Sequence, residues 1–106
     1  YNYWKADEKF QDIAKMLGLP HSTPEEAVEA YAKAVYDLGV AVGIKMNFKD
    51  QGIDEKAWKD SLHEIALLAY EDQCSPANPR LPMVADMEEI MADAYYGYAE
   101  RPGRRK

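Results

Sequence analysis

Glu71-Asp72-Gln73-Cys74-Ser75-Pro76-Ala77-Asn78-Pro79-Arg80 decides the fold, because it breaks a strongly helical chain. Pro76 and Pro79 are followed at the same spacing by Pro82. Each proline fixes its own φ and lacks a backbone donor. The residue before a proline is pushed out of the α region, so Ser75, Asn78 and Leu81 are expected to be extended. The stretch therefore reads as a stiff, non-helical connector between two helices. It carries the one cysteine of the chain, Cys74, together with the amide of Asn78 and the guanidinium of Arg80. Rigid loops on helical scaffolds often carry function. On these residues alone, a plain interhelix linker is an equally good reading.

Working outward, the downstream side is simple. Met87, Ile90, Met91, Ala94 and Tyr95 recur at helical spacing and predict a helix over residues 84–96, capped by Gly97. Upstream, Asp54 can cap a helix and Glu55 suits its first turn. Trp58, Leu62, Ile65, Ala66 and Ala69 form one face of that helix, which ends near residues 70–73. Leu67 and Leu68 widen the face, so burial on more than one side is expected. Residues 44–52 read as an irregular connector.

Before that lies a strong helix start, Ser22-Thr23-Pro24-Glu25-Glu26. Thr23 can cap, Pro24 fits the first turn and Glu26 completes a capping box. The helix should run to about residue 42, with Val28, Tyr31, Ala32, Val35, Leu38 and Val42 as its apolar stripe. Gly39 inside it costs up to ~1 kcal/mol relative to alanine, unless a neighbour packs closely there. Gly43 stops it. The first helix is expected over residues 5–17, from Phe10, Ile13, Ala14 and Leu17. Gly18 offers a left-handed cap, and Leu19-Pro20 prevents continuation. No stretch alternates with the period of a strand. The fold class is all-α, with four to five helices, four of them well marked.

At 106 residues the chain is one domain or part of one. Its 47% hydrophobic content sets it apart from disordered chains. No apolar run approaches the length of a bilayer, so no membrane partner is expected. A single cysteine excludes an intrachain disulfide. With no secretory signal visible, that points to a reducing, cytoplasmic compartment. The chain opens on Tyr1-Asn2-Tyr3-Trp4 without an initiator methionine, which suggests a piece of something longer, or processing. Residues 101–106 carry Arg101, Arg104, Arg105 and Lys106, while the other hundred residues hold nine basic and nineteen acidic side chains, a net of −10. An acidic body repels polyanions, so no nucleic-acid partner is expected. Residues 98–106 read as a basic, flexible tail.

Complete catalytic sets are missing. A metal site needs several ligands at fixed geometry. His21 falls in a turn and His63 beside an apolar stripe, 42 positions apart. Gly39 and Gly43 lack the spacing of a phosphate loop and a strand before it. Ser22, Ser61 and Ser75 have no visible base. Cys74 has no sequence-level activator, unless the neighbours of the third helix or Arg80 lower its pKa.

Ala69-Tyr70-Glu71-Asp72-Gln73-Cys74-Ser75-Pro76-Ala77-Asn78-Pro79-Arg80 resembles the carboxy-terminal signature of iron-containing (group III) alcohol dehydrogenases. In that signature an acidic residue precedes a cysteine, and a short small-residue spacer leads to Asn-Pro-Arg. With Leu81-Pro82 and Ala94-Tyr95-Tyr96-Gly97, the match narrows to the bifunctional aldehyde–alcohol branch. Ile13-Ala14-Lys15-Met16-Leu17-Gly18-Leu19 agrees, as does Gly43-Ile44 followed by Phe48-Lys49-Asp50-Gln51-Gly52-Ile53. The likeness extends over residues 1–97 and is silent beyond.

The resemblance implies a part rather than a whole. This chain would be the C-terminal portion of the helical domain of a dehydroquinate synthase-like fold. The family binds NAD in an upstream dinucleotide domain and iron through an aspartate and three histidines, none matched here. The parent would reduce acetaldehyde to ethanol with NADH, iron polarising the carbonyl, after a further upstream half made acetaldehyde from acetyl-CoA. The fragment would hold neither cofactor and would be inactive. Its partner would be the rest of the parent dehydrogenase, which is expected to be a homo-oligomer. Cys74 would border the cavity near nicotinamide and substrate, and Asn78 and Arg80 would brace the loop. The alternative is a free-standing helical interaction module that uses Pro76-x-x-Pro79 as a polyproline ligand. Against it, Arg80 directly follows Pro79, and Asn-Pro punctuation suits a helix boundary better.

Overall fold

The computed structural model describes residues 1–97, so the expectation of a flexible tail over residues 98–106 lies outside it. The fold is all-α. Four α-helices, α1 (Asp7–Met16), α2 (Pro24–Ala41), α3 (Glu55–Glu71) and α4 (Val84–Tyr96), are accompanied by 3-10 turns at Asn2–Lys5, before α1, and at Ser75–Ala77, between α3 and α4. No strand occurs among the described residues. Two compact units divide the chain, one ending at Ile44 and the other starting at Lys45.

In the first unit α1 packs on α2 as a helical hairpin, and the 3-10 turn lies against both. The ends are set by local chemistry. α1 closes in a Schellman motif: Gly18 (φ +71) donates to Lys15 and Leu19 to Ala14. α2 closes the same way, with Gly43 (φ +86) on Val40 and Ile44 on Gly39. Neither glycine has a neighbour where a Cβ would stand, so the left-handed φ alone calls for glycine. At the start of α2, Thr23 Oγ1 accepts from the Glu26 N–H at 3.1 Å. The Glu26 carboxylate accepts from Ser22 N–H rather than from Thr23, one residue earlier than a standard capping box.

The α2 stripe is the main departure from expectation. Ala27 and Gly39 are buried, and Tyr31 is half-buried against the Phe10 ring at 6.0 Å. Val35, Leu38 and Val42 are instead 50%, 65% and 65% exposed, and Ala32 is exposed too. Length explains much of this. Ten residues of α1 extend about 15 Å and cannot cover the roughly 27 Å of α2. Small residues at Ala14 and Ala27, both fully buried, bring the two backbones close where they do meet.

The second unit is an antiparallel pair, α3 and α4. Asp54 Oδ2 caps α3 by accepting from Ala57 N–H at 3.0 Å. α4 occupies the predicted residues, and its N-cap N–H, on Met83, donates to Asp86 Oδ2. The facing surfaces bury Ala66 and Tyr95, with Trp58, Leu62, Ala69 and Met87 half-buried. Burial of α3 on more than one side does not occur within the described residues: α4 covers one face of α3, and Ile65, Leu67 and Leu68 are exposed. Ile90 on α4 is likewise 40% exposed rather than inward.

The connector over residues 44–52 is more ordered than expected. Asn47 Oδ1 accepts from Asp50 N–H at 2.7 Å, and Gln51 N–H donates to Asn47 O, forming one helical turn. Gly52 (φ +91) ends it. The free N–H groups of Phe48 and Lys49 then donate to the carbonyls of Ala94 and Tyr95, each at 3.0 Å. Unsatisfied donors at the start of one turn thus meet unsatisfied acceptors at the end of α4.

Candidate functional site

The proline loop is held by its own backbone. Ser75 is not extended: it opens the 3-10 turn, whose φ requirement Pro76 already meets. Three contacts favour the turn over the extended form. Cys74 N–H donates to Asp72 Oδ1 at 2.8 Å, Ser75 N–H to Asp72 O at 3.0 Å, and Ser75 Oγ–H to Ala69 O at 2.6 Å. The last of these adds a second donor to the Ala69 carbonyl, which also accepts from Asp72 N–H at 3.3 Å at the end of α3. Asn78 (φ −69, ψ 138) is extended, as its place before Pro79 requires. A 3-10 turn at Pro76 also removes the left-handed extended helix that a polyproline ligand needs.

Cys74, Asn78 and Arg80 therefore share one loop with different exposures. Cys74 is exposed, and its sulfur is a free thiol. Asn78 and Arg80 are half-buried, and Asn78 Nδ2 donates to the Arg80 carbonyl at 2.6 Å. That bond ties the two residues flanking Pro79 together.

A second cluster, at the other end of the α3–α4 pair, was not singled out by sequence reasoning. Tyr96 Oη–H donates to Glu55 Oε1 at 2.6 Å, and Lys59 Nζ lies 2.8 Å from the same oxygen. The hydrogen bond from Lys59, then that from Tyr96, holds the Glu55 carboxyl below its ordinary value. The same bonds raise Lys59 and Tyr96. Burial, first of all, raises Tyr95, whose hydroxyl donates to Ile53 O at 2.8 Å. Trp58 stacks on Tyr95 at 4.5 Å and meets Tyr96 edge-on at 5.8 Å. Further along, His63 Nδ1 lies 2.6 Å from Glu88 Oε1. His63 is eight residues on from Glu55, and Glu88 eight back from Tyr96. One antiparallel register places both pairs, and that register was the available sequence signal. With both donors on Glu55 engaged, the cluster clamps the open end of the hairpin and offers no spare base.

Compared with models of known families, residues 1–95 match the Fe-containing alcohol dehydrogenase family, C-terminal. The chain belongs to the Fe-containing alcohol dehydrogenase family. The aldehyde-alcohol dehydrogenase of Streptococcus pneumoniae serotype 2 (strain D39 / NCTC 7466) is 76% identical over 106 residues, all of this chain and 12% of the relative. Aldehyde-alcohol dehydrogenase 2 of Entamoeba histolytica is 54% identical over 99 residues, 93% of this chain and 11% of its own length. The bifunctional aldehyde-alcohol dehydrogenase of Escherichia coli (strain K12) is 28% identical over 99 residues, 92% of this chain and 11% of its own. The chain thus spans about an eighth of the aldehyde-alcohol dehydrogenases it matches, and it matches their C-terminal region.

Iron, which the family name implies, finds no fitting donor set here. Among the described residues, no three His, Cys, Asp or Glu side chains group to hold a metal. His21 Nδ1 faces the Leu19 carbonyl at 2.9 Å, and His63 faces a single carboxylate. In this Fe-containing alcohol dehydrogenase segment, no chemical step can be assigned through the metal.

Proposed function

We propose that this chain is the C-terminal helical segment of a larger cytoplasmic, homo-oligomeric, bifunctional aldehyde–alcohol dehydrogenase. The alcohol dehydrogenase module of that parent reduces acetaldehyde to ethanol with NADH, and an upstream half makes acetaldehyde from acetyl-CoA. The observation that carries this is 76% identity along the whole chain to a protein named aldehyde-alcohol dehydrogenase. Iron and nicotinamide belong to the rest of the parent, and the segment alone is inactive. Donor geometry supports that division, since the histidines here face a carbonyl and one carboxylate.

Within the parent, Cys74 lines the cavity near substrate. Its exposure on a braced loop supports the role. Asn78 and Arg80 hold that loop in shape, which the bond from Asn78 to the Arg80 carbonyl supports. The test is expression of the complete reading frame. NADH oxidation is then followed with acetaldehyde and with acetyl-CoA, before and after metal chelation. Chelator-sensitive turnover of acetaldehyde is expected. A complete, folded protein inert to both substrates overturns the reading, and so does turnover by the 106-residue chain alone.

A further inference from the structure

Two tyrosines lie side by side against Trp58, and their hydroxyls face different acceptors. The Trp58 ring stacks on Tyr95 at 4.5 Å and meets Tyr96 edge-on at 5.8 Å, and the two tyrosine rings are 4.9 Å apart. Tyr95 Oη–H donates to the Ile53 carbonyl at 2.8 Å, whereas Tyr96 Oη–H donates to the Glu55 carboxylate at 2.6 Å. A backbone carbonyl accepts a hydrogen bond but takes no proton, while an ionised carboxylate takes one.

That difference decides which ring can lose an electron. A phenol that gives up an electron becomes an acid far stronger than any carboxylic acid, so it must shed its proton in the same step. At Tyr96 the acceptor is already within reach of proton transfer. At Tyr95 the proton has nowhere to go, so that ring cannot end the transfer although it is nearer to Trp58. Lys59 first, then Tyr96, holds the Glu55 carboxyl below its ordinary value. A base weakened in this way still takes a proton from an oxidised phenol. It then gives that proton to water at neutral pH, which restores the acceptor. Trp58 and Tyr96 both line a groove open to solvent, with Leu62 and Ala92 between the helices, so a small oxidant reaches the indole.

We infer that Tyr96 is a radical-trapping site: a hole placed on Trp58 moves to Tyr96, and the Tyr96 proton moves to Glu55. The oxidant is a small one-electron radical of the azide or carbonate class, reduced to its anion as it takes an electron from the indole. The oxidised indole loses its N–H proton to water. One electron then passes from Tyr96 to the indolyl radical, which regains a proton from water. As it does so the Tyr96 O–H bond breaks and an O–H bond forms on Glu55. Trp58 is restored, and the unpaired electron rests on the Tyr96 phenoxyl. The phenoxyl radical is the more stable of the two at neutral pH, so the transfer runs from indole to phenol.

Pulse radiolysis tests this on the 106-residue chain with Trp4→Phe and Cys74→Ser, which leaves Trp58 as the one indole and removes the competing thiol. The azide radical is the probe, because it oxidises indole ahead of phenol, at a dose well below one radical per chain. Indolyl absorption is expected to decay into phenoxyl absorption at a rate independent of chain concentration. Tyr96→Phe should slow this step more than about tenfold, and Tyr95→Phe should leave it within about twofold. Glu55→Gln keeps an acceptor oxygen for the Tyr96 hydroxyl but is no base, so it too should slow the step more than about tenfold, with helix content by circular dichroism unchanged. The unsubstituted cluster should also react more slowly in D₂O than in H₂O, a reading that needs no variant to fold. Equal rates in the two solvents overturn the inference. So does a rate that survives Glu55→Gln, or slowing by Tyr95→Phe as large as that by Tyr96→Phe. A rate proportional to chain concentration assigns the transfer to encounters between copies and overturns it as well.

Discussion

Tyr95 joins the start of α3 to the end of α4. It is 2% exposed, stacks on Trp58 and donates to the Ile53 carbonyl at 2.8 Å. Tyr95→Phe keeps the ring and strips that carbonyl of its donor, which should cost about 1 kcal/mol. Tyr95→Ala also empties the core and should cost about 3–5 kcal/mol. Urea unfolding of the two variants checks both. Next to it, Tyr96 gives a pH signature. The folded value of Glu55 is depressed, so its contribution stands above the ordinary 4.5 and fades as pH falls through the folded value. The folded value of Tyr96 is raised above the ordinary 10.0, so its contribution is complete below 10.0 and fades as pH rises through the folded value. Tyr96→Phe should therefore lower Tm at neutral pH, with the difference shrinking well below pH 4.5 and well above pH 10. A Tm difference that stays constant across this range would show that the bond contributes nothing. Cys74 belongs to the proposed parent. A thiol that shapes a cavity discriminates by volume, and one methylene is worth about 1–3 kcal/mol in such pockets. Cys74→Ala should retain fold and iron and change kcat/KM by different factors for acetaldehyde and butyraldehyde. Cys74→Leu should penalise butyraldehyde most. Loss beyond about 10³-fold with both aldehydes, iron retained, would mean that the thiol does chemistry. Cys74, Asn78 and Arg80 could be singled out in the sequence because their motif is contiguous, and their roles belong to the proposal. Glu55, Tyr96, His63 and Glu88 could not, because their pairing exists only once two helices are set in register.

At the scale of elements, caps marked the helices better than stripes did. Thr23 and Asp54 accept from Glu26 and Ala57, as their side-chain chemistry dictates. Gly18 and Gly43 take the left-handed φ that ends α1 and α2. Thr23→Ala and Asp54→Ala should each lower stability by about 1 kcal/mol, read as a shift in urea midpoint with unchanged slope. A change in slope would mean that the cap alters the unfolded ensemble or breaks two-state behaviour instead. These signals are local, so they survive whatever packs around them. The α2 stripe is not local. Val35, Leu38 and Val42 have helical periodicity, yet they face water because α1 is eight residues shorter than α2. The Asn47 turn escaped notice for a related reason. A single turn has no periodicity to read, and its stability comes from α4 carbonyls more than forty residues away. Ser75 adds a third case. The steric rule before proline is real, and the hydrogen bonds of Asp72 and Ala69 outweigh it.

The whole molecule carries more apolar surface than its two small cores consume. Among the described residues, the buried hydrophobic side chains are Ala14, Ala27, Ala66 and Tyr95, three of them alanine. Exposed ones include Val35, Leu38, Val40 and Val42 on α2, and Ile65, Leu67 and Leu68 on α3. Single exposed apolar residues are ordinary, but runs of this kind on neighbouring turns mark surfaces that seek cover. Relatives about eight times longer offer the natural cover, since the chain accounts for 12% of the pneumococcal protein. Alone in solution, the same surfaces have only other copies of the chain to meet. The weight-average mass by sedimentation should accordingly exceed the monomer at micromolar concentration and fall on dilution. Leu38→Lys with Val42→Lys should shift the balance toward monomer while leaving helix content unchanged, because both side chains already face water. The same pair of substitutions in the complete parent should do the opposite, lowering stability by burying charge against whatever covers α2. If the wild-type chain stays strictly monomeric at micromolar concentration, the exposed α2 and α3 faces are tolerated surface and need no cover from the parent.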